Sequence, residues 1–313
     1  MTANNKELTQ GFSLKDKSCA VIGLGGLGTN VAVHMAGAGI GKMYLCDFDT
    51  VSKSNLNRQF MYTADDVGKM KCEVLHKRLS AYSPECEIVA VNEKITEAYH
   101  PEVLKDCDII FVCSAMNKTL PVLDKLENII PSNTIVTDVC SLKQFVTEKK
   151  RPYVFIPSHP MAGTEHKGFE NSFIGMFKNA TWVLTPFKDT KKEDIEKLVN
   201  LIEIMGAKPL FTTPDMHDEA AAMISHMPML IAQAIFLAAS DSELALKMAS
   251  SGFRDMTRLA LSNEEMATDM INMNHKNIQT AVLKLYKAVG DLTSGDYSKL
   301  VTEIKSKINL MFK

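Results

Sequence analysis

A glycine-rich stretch, VIGLGGLGTN (21–30), holds the first residues whose spacing suggests chemistry. Gly23, Gly25 and Gly28 form the pattern G-x-G-x-x-G, and Asp47 ends the next apolar run. Glycines let a backbone approach phosphates at a helix N-terminus, and a carboxylate at the second strand accepts hydrogen bonds from ribose hydroxyls. The stretch therefore predicts a nucleotide site. Because the Asp47 carboxylate also repels a 2′-phosphate, it favours NAD over NADP.

His159 is the second group with chemical potential, in the stretch SHPMAGTEHKG (158–168). We predict that it lies at the end of a strand, where open α/β sheets present catalytic groups. A neutral imidazole there can accept a proton from a substrate alcohol while a hydride leaves the same carbon. We expect structural roles for four other histidines: His34, His76, His100 and His275.

The segment SNLNRQF (54–60) carries a different chemistry. The guanidinium of Arg58 and the ammonium of Lys71 can together neutralise a triphosphate. The first part of the chain thus predicts either activation of a carboxylate by ATP or oxidation of a substrate by a nicotinamide. Lys53 and Arg58 can also offset the charge of Asp47, so NADP stays open beside NAD.

Short β-branched runs alternate with helical stretches in the first part of the chain. Their near-continuous apolar character is typical of parallel strands that are covered on both faces. Strand–helix alternation predicts an α/β fold with a doubly wound, Rossmann-like, mostly parallel sheet. We expect TWVLTPF (181–187) to close the sheet edge. The other predicted strands are 18–25, 42–49, 86–92, 108–115, 134–140 and 153–159.

The pattern becomes helical after Lys188, which predicts a nucleotide-binding domain at 1–188 and an all-α domain at 189–313. The stretch 218–240 is apolar on most of its circumference, so it must be buried in its own domain or against a second subunit. Pro228 predicts a kink near Ser225 and His226. We expect a homodimer that forms through the helical domain.

The composition excludes several classes of partner. Hydrophobic residues make up 46% and charged residues 23% of the chain, with a formal net charge of −2, so we expect no nucleic-acid partner. We expect no membrane span and no signal peptide, which indicates a cytoplasmic protein. The seven cysteines lie between Cys19 and Cys140 without a C-x-x-C pair, which indicates buried structural thiols and no metal site.

From about residue 18 to 95 the chain resembles the adenylyltransferases that activate ubiquitin-like sulfur carriers in thiamine and molybdopterin biosynthesis. The shared features are G-x-G-G-L-G, G-I-G, D-x-D, S-N-L-x-R-Q and G-K-x-K. That family also has an acidic D-x-x-D-N element for magnesium, but FVCSAMNKT (111–119) holds Asn117 without a carboxylate. The resemblance implies phosphate contacts by Asn55, Arg58, Gln59 and Lys71.

From about residue 106 to 292 the chain resembles the prephenate dehydrogenases. The resemblance rests on four strings in order: TDVCSLK (137–143), SHPMAGTEHKG (158–168), HDEAAAMISHMP (217–228) and SSGFRDMTRLA (250–260). It implies NAD-dependent oxidative decarboxylation of prephenate to 4-hydroxyphenylpyruvate, in tyrosine biosynthesis, without a metal. The amino analogue arogenate stays open as the substrate.

The second resemblance also implies roles for individual residues. His159 and Ser141 are the expected catalytic pair, with Ser141 hydrogen-bonded to the histidine and the substrate. Thr164 and Glu165 are expected to shape the pocket. Lys143 is a weaker candidate, because a solvated lysine is an equally good interpretation.

On the helical side, we expect Arg258 to bind a substrate carboxylate through its guanidinium. Arg254 lies four residues earlier and is predicted to share that helix face, although it can equally be a surface ion-pair partner. His226 precedes the predicted kink and is expected to face the substrate. Met229 stands where some relatives have a second histidine.

The two resemblances meet between residues 95 and 108, so the chain is interpreted as a mosaic. A working NAD-dependent dehydrogenase is the first hypothesis, because His159, Ser141 and Arg258 have no role in adenylation. An ATP-dependent adenylyltransferase is the second. The third is a nucleotide-binding protein without turnover, in which Arg58 and Lys71 crowd the cofactor site.

Overall fold

The computed structural model describes residues 13–56, 59–94, 102–162 and 175–311. The chain divides into two compact units, 1–217 and 218–313, and each is described by itself. The predicted boundary at residue 188 lies before this division. Helix α5 (Lys192–Ile204) and strand β9 (Lys208–Phe211) follow that boundary but belong to the first unit, because β9 pairs with strand β8 (Thr181–Leu184).

The first unit is built on a six-stranded sheet in the order β3-β2-β1-β4-β5-β6, with every neighbouring pair parallel. Its strands are apolar and largely buried, as strands covered on both faces must be. The predicted doubly wound sheet is therefore confirmed. The strands are β1 (Ser18–Ile22), β2 (Lys42–Cys46), β3 (Glu87–Val91), β4 (Ile109–Val112), β5 (Ile135–Asp138) and β6 (Val154–Phe155).

Helices cover this sheet on its two faces, and each face has its own apolar core. One core includes Val31, Leu75 and Trp182, and the other includes Leu123 and Tyr153. Alternate residues of each strand contribute to opposite cores, because successive side chains of a strand point to opposite faces. The further helices of this unit are α1 (Gly26–Gly37), α2 (Lys71–Tyr82), α3 (Met116–Leu126) and α4 (Gln144–Thr147).

A second sheet of three strands follows, in the order β7-β8-β9, with β7 (Ser158–Pro160) antiparallel to β8. Two predictions are wrong here. The run 153–159 is not one strand but divides between the two sheets, and 181–187 does not close the edge of the first sheet. Pro157 interrupts the run because it cannot donate a ladder hydrogen bond, and strand β9, which contains Pro209, was not predicted.

Helix α6 (Pro214–Ala221) spans the division between the units and leads into the helical second unit. A π-helical turn at Ala222–His226 separates it from α7, so the predicted interruption near Ser225 and His226 is present. The remaining helices are α7 (Met227–Ser240), α8 (Glu243–Lys247), α9 (Ser251–Thr257), α10 (Glu264–Met273), α11 (His275–Ser294) and α12 (Tyr297–Met311).

The helical run Pro214–Ser240 differs from one sequence expectation. It is long and apolar enough to cross a membrane by length and composition alone, although only 28% of its most apolar window is buried. A core or interface helix of a soluble protein has the same properties. Its exposed apolar side chains include Ile224, Phe236 and Leu237.

All seven cysteines are free thiols inside the first unit, and six of them are buried. Burial raises the pKa of each one, to about 11 for Cys86 and to about 12 for Cys72, Cys107 and Cys140. The pKa is also raised by burial for Cys19, Cys46 and Cys113. The thiols therefore stay protonated at neutral pH, as structural cysteines do. No group of potential metal ligands occurs among the residues that the structure describes.

We predict that the native protein reacts slowly with a thiol-specific chromogenic reagent at neutral pH, because the reactive thiolate is suppressed and shielded. In denaturant all seven thiols should react at once. Absorbance of the released chromophore measures both rates. Rapid labelling of even one thiol in the folded protein would contradict the prediction.

Candidate active site

The glycine loop joins β1 to α1 and is shaped by two glycines. Gly23 has a φ of +93°, and a Cβ there would lie 2.8 Å from the backbone of Cys113. A Cβ on Gly28 would lie 1.9 Å from the carbonyl oxygen of Gly23. Gly25 is different, because a Cβ there would meet no atom of the described residues within 4 Å. The fold thus requires Gly23 and Gly28, whereas Gly25 leaves open space at the N-terminus of α1.

Asp47 follows β2 and its carboxylate is held against this loop. Oδ2 accepts a hydrogen bond from the amide of Leu24 at 2.6 Å, and Oδ1 accepts one from the amide of Asp49 at 2.9 Å. Burial raises the pKa of Asp47, while the charge of Lys71 and the two amide donors act in the opposite direction. The Asp47 carboxylate therefore lies beside the glycine loop in one orientation, and its role as ribose acceptor stays a prediction.

The stretch after SNLNRQF contacts the glycine loop through Tyr62. The buried hydroxyl of Tyr62 donates to the carbonyl of Leu24 at 3.2 Å. Gln59 is 2% exposed, and its Oε1 has no hydrogen-bond partner in the described part of the chain. Asn55, in contrast, uses its Oδ1 to accept from the amide of Ser52 at 3.1 Å. Of the predicted phosphate ligands, Asn55 is engaged in capping its own turn.

Lys71 is the other predicted phosphate ligand that the structure describes. Its side chain is 7% exposed, and its Nζ lies 3.2 Å from Oδ2 of Asp49. The ammonium charge is thus partly balanced by a carboxylate of the D-x-D motif. Arg58 lies outside the described residues, as do Thr164 and Glu165 of the predicted substrate pocket.

A buried ion pair lies at the end of β5, next to the predicted catalytic residues. Asp138 and Lys143 are both fully buried, and the Lys143 ammonium contacts Oδ2 of Asp138. Lys143 Nζ also donates to the carbonyl of Ser158 at 2.6 Å, and the amide of Ser158 lies 3.2 Å from Oδ1 of Asp138. The interpretation of Lys143 as a solvated lysine is therefore wrong. The pair anchors the residue that precedes His159.

His159 lies within β7, where it pairs with Val183. Its Nδ1 is 2.9 Å from Nε2 of His217, and the two rings meet at 64°. His217 is 4% exposed and belongs to α6. Ser141 follows β5 and is partly buried, and no hydrogen bond between Ser141 and His159 occurs in the described residues. His217, which contacts the His159 imidazole, was thus not given a role in the sequence analysis.

His217 was missed although it opens the quoted string HDEAAAMISHMP. The sequence does not indicate which of the two histidines of this string, His217 or His226, contacts His159. A pairing that joins a strand to a helix 58 residues away depends on tertiary structure. The sequence signal was the polar doublet His217–Asp218 directly before an apolar helical run. The structure shows that both residues are buried despite their polarity.

In the second unit, His226 ends the π-helical turn and is 1% exposed. Its Nδ1 lies 3.1 Å from Nδ2 of Asn274, which also donates to the carbonyl of Asp218 at 2.9 Å. Asn274 precedes α11 and is buried. π-Helical turns often occur at functional sites, and substrate binding by His226 stays a prediction.

The two arginines of the predicted carboxylate site lie in neighbouring but different elements. Arg254 belongs to α9, and Arg258 begins the 3₁₀ turn that follows at Arg258–Leu261. Both side chains are exposed, so a guanidinium here is accessible to a ligand in this unit. The two residues do not share one regular α-helix, although they are four positions apart as predicted.

Three family models match the chain. Residues 8–125 match the ThiF family, residues 76–210 match the prephenate dehydrogenase nucleotide-binding domain, and residues 213–305 match the prephenate dehydrogenase dimerization domain. The glycine loop and Asp47 fall within the ThiF match alone. His159, His217, His226 and Arg258 fall within the two dehydrogenase matches.

Individual relatives show the same division. The chain is 31% identical over 185 residues to prephenate dehydrogenase of Bacillus subtilis, which covers 56% of this chain and 50% of the relative. It is 36% identical over 101 residues to the sulfur carrier protein ThiS adenylyltransferase of Escherichia coli, covering 32% of this chain and 40% of the relative. The chain thus spans about half the length, or less, of these curated relatives.

Solved structures resemble the whole chain. Synechocystis arogenate dehydrogenase is 27% identical, with a TM-score of 0.68, and the match covers 94% of this chain and 96% of that one. Prephenate dehydrogenase from A. aeolicus, solved with hydroxyphenyl propionate and NAD+, shares the fold with a TM-score of 0.71 at 21% identity, covering 96% and 98% of the two chains. Residues 76–305 are therefore similar to prephenate dehydrogenases, and residues 8–125 are similar to the ThiF family.

Proposed function

We propose that the protein is an NAD-dependent dehydrogenase that converts prephenate to 4-hydroxyphenylpyruvate by oxidative decarboxylation. The observation that carries the proposal is the contact between His159 Nδ1 and His217 Nε2 at 2.9 Å. This contact supports the proposal that Nδ1 of His159 is held by the protein and that Nε2 serves the substrate. A histidine oriented in this way has no role in adenylyl transfer.

The residues around the glycine loop fit NAD. Gly25 leaves open space at the start of α1, where backbone amides and the helix dipole attract a pyrophosphate. Asp47 is held by the amides of Leu24 and Asp49, so its position is set before a ribose arrives. Lys71 supplies a buried positive charge near the same loop. NAD, when bound, supplies the hydride acceptor.

His159 is the proposed proton acceptor of the reaction. When its Nδ1–H donates to Nε2 of His217, Nε2 of His159 is the proposed general base. It takes the proton of the ring hydroxyl as hydride leaves the same carbon, and carbon dioxide departs as the ring becomes aromatic. The resulting imidazolium keeps its Nδ1–H bond to His217. His217 thus supports the protonated form, as an orienting partner does in other histidine dyads.

The exposed guanidinium of Arg258 is the proposed partner of a substrate carboxylate, and Arg254 adds a second positive charge. Ser141, Thr164 and Glu165 retain the roles that the family resemblance implies for them, as predictions. Arogenate differs from prephenate in one amino group and is the alternative substrate. The 27% identity to an arogenate dehydrogenase over nearly the whole chain is the specific observation in its favour.

We also propose a homodimer that forms through the second unit, in line with the match to a dimerization domain. Met229 and Ala232 are the only buried residues of helix α7, although its sequence is apolar almost throughout. Phe236 and Leu237 on α7 are 48% and 67% exposed in the single chain. A second copy that covers this surface satisfies the apolar side chains without a membrane. A cytoplasmic location stays a prediction from the sequence.

The first prediction is that NAD is reduced in the presence of prephenate and that His159→Asn lowers kcat about 10²- to 10⁴-fold, because the general base is lost. His217→Asn should lower kcat about tenfold, because one orienting hydrogen bond is weakened. Absorbance of reduced nicotinamide measures both, with prephenate and arogenate in separate reactions. His76→Asn, which alters a histidine of α2 that has no assigned role in the reaction, is the matched control.

The same assay distinguishes the competing functions. No reduction of NAD by the parent protein with either substrate would refute the dehydrogenase. Exchange of labelled pyrophosphate into ATP would instead identify adenylyl transfer. Faster turnover by Arg58→Ala would show that this side chain obstructs the cofactor.

A second prediction separates two glycines of the loop. Gly25→Ala should weaken NAD binding about tenfold or more, because its methyl group occupies the space left for the cofactor, while the free energy of unfolding changes by less than about 0.5 kcal/mol. Gly28→Ala should lower the free energy of unfolding by about 1–3 kcal/mol, because its Cβ collides with Gly23. Calorimetric titration and denaturant unfolding measure the two effects. Unchanged NAD affinity in Gly25→Ala would place the cofactor elsewhere.

A third prediction concerns assembly. The protein should sediment with twice the mass of one chain, and Leu237→Glu should weaken the dimer at least about tenfold, because a charge enters an apolar interface. Lys188→Glu, which changes an exposed side chain of the first unit, should leave the dimer intact. A monomer that partitions into lipid vesicles would contradict this proposal.

A further inference from the structure

Tyr62 lies two residues after SNLNRQF (54–60), outside the motifs on which the two resemblances rest. Its side chain is fully buried in the core of the first unit that includes Val31 and Leu75. Its hydroxyl donates to the carbonyl of Leu24 in the glycine loop at 3.2 Å. Burial raises the pKa of Tyr62, so the hydroxyl keeps its proton and stays a hydrogen-bond donor.

The backbone of Leu24 is held by side chains from three parts of the first unit. Besides the bond from Tyr62, its carbonyl accepts a hydrogen bond from the hydroxyl of Thr29 in α1 at 3.0 Å. Its amide donates to the carboxylate of Asp47, which follows β2, at 2.6 Å. A carbonyl oxygen has two lone pairs, and the two hydroxyls occupy both. The peptide groups on either side of Leu24 are therefore fixed in one orientation.

This orientation extends to Gly25, because a peptide group is planar. The bond between Leu24 and Gly25 is trans, so the N–H of Gly25 points in the opposite direction to the carbonyl of Leu24. It therefore points away from the two hydroxyls that hold that carbonyl. Gly25 directly precedes α1, and a Cβ there would meet no atom of the described residues within 4 Å. The fixed peptide thus lies at a helix N-terminus with open space beside it, where phosphates bind.

The stretch that carries Tyr62 is itself fixed independently of the glycine loop. At its base, the amide of Val51 donates to the carbonyl of Lys69 at 2.9 Å, which closes the stretch 51–69. The amide that follows Tyr62 donates to the carboxylate of Asp66 at 2.8 Å. Asp66 is buried and pairs with Arg78 of α2. The Tyr62 hydroxyl therefore acts on the loop from a position that other contacts determine.

We propose that Tyr62 is a positioning residue that fixes the glycine loop for nucleotide binding, acting through the carbonyl of Leu24. The inference rests on the proposed function for the identity of that nucleotide as NAD. A loop that is ordered before binding loses less conformational freedom when the nucleotide arrives, which increases the affinity. The stretch 51–69 then has a use in a dehydrogenase that requires no triphosphate, because it holds the loop and the loop holds the nucleotide.

The test uses Tyr62→Phe, which removes only the hydroxyl from a buried ring. The dissociation constant for NAD should rise about 3- to 10-fold, because one neutral hydrogen bond to the loop is lost. Calorimetric titration of the full-length protein measures this constant. In steady-state kinetics the KM for NAD should rise by a similar factor, with little change in kcat or in the KM for prephenate.

Tyr153→Phe is the matched control. Tyr153 is also a buried tyrosine of the first unit, and its hydroxyl donates to the carbonyl of Leu123 at 2.8 Å in the other core. The same atom is removed from a similar environment, so both variants should unfold at a lower temperature than the parent protein. Only Tyr62→Phe should bind NAD more weakly. A purely structural role of Tyr62 would leave the NAD affinity of both variants unchanged.

Thr29→Val tests whether Tyr62 acts through the carbonyl of Leu24. This substitution removes the second hydroxyl that donates to that carbonyl. The double variant with Tyr62→Phe should bind NAD more weakly than the product of the two single effects predicts, because a buried carbonyl is then left without a partner. An effect equal to that product would show that the two hydroxyls do not act through one carbonyl, and the inference would be wrong.

The outcomes separate the inference from the proposed function. Unchanged affinity for NAD in Tyr62→Phe, or an equal loss in Tyr153→Phe, would overturn the inference even in an active dehydrogenase. Binding of NAD without its reduction in the presence of prephenate or arogenate would refute the proposed function, while the titrations still decide the role of Tyr62. If the parent protein binds ATP instead of NAD, titration of the same variants with ATP decides it. Binding of neither nucleotide would refute both.

Discussion

The contact between Asp138 and Lys143 holds together the part of the first unit on which its chemistry depends. The carboxylate of Asp138 accepts from the Lys143 ammonium and from the amides of Cys140 and Ser158. Two fully buried charges are stable only when such additional hydrogen bonds replace the lost water, and removal of one partner typically costs about 3–5 kcal/mol. Both sheets meet at this pair, because Asp138 ends β5 and Ser158 begins β7. The position of His159, which follows Ser158, therefore depends on this ion pair.

Local patterns were sufficient for the nucleotide half of this protein. The spacing of Gly23, Gly28 and Asp47 predicted the loop and its acid, because that geometry is set within one strand–helix–strand unit. The second sheet was not predicted as a separate sheet, because β7 and β9 are short and contain Pro160 and Pro209, which weakens their strand signal. The burial of Lys143 and the contact of His217 were not predicted for a related reason. Their partners are distant in sequence, and tertiary contacts decide whether a polar side chain is buried.

The ThiF match and the dehydrogenase match overlap inside one sheet rather than at a domain boundary. The ThiF match ends at residue 125 and the dehydrogenase match begins at residue 76, so β3 and β4 belong to both. Neighbouring strands β1 and β2 belong to the ThiF part, and they pair in parallel with β4 and β3 in regular register. A parallel sheet tolerates such a junction because its strands interact mainly through backbone hydrogen bonds and through apolar side chains of similar size. Tyr62, two residues after SNLNRQF (54–60), then donates a hydrogen bond to the glycine loop.

The π-helical turn at Ala222–His226 has a consequence for how this helical run can vary. A π-helical turn holds more residues than an α-helical turn, so the side chains that follow are rotated relative to a continuous α-helix. The apolar face of α7 is therefore out of phase with the face of α6. Loss of a single residue from the turn would bring the two faces into phase and present a different side chain to Asn274. The length of this turn, more than the composition of either helix, therefore determines that a histidine lies beside Asn274.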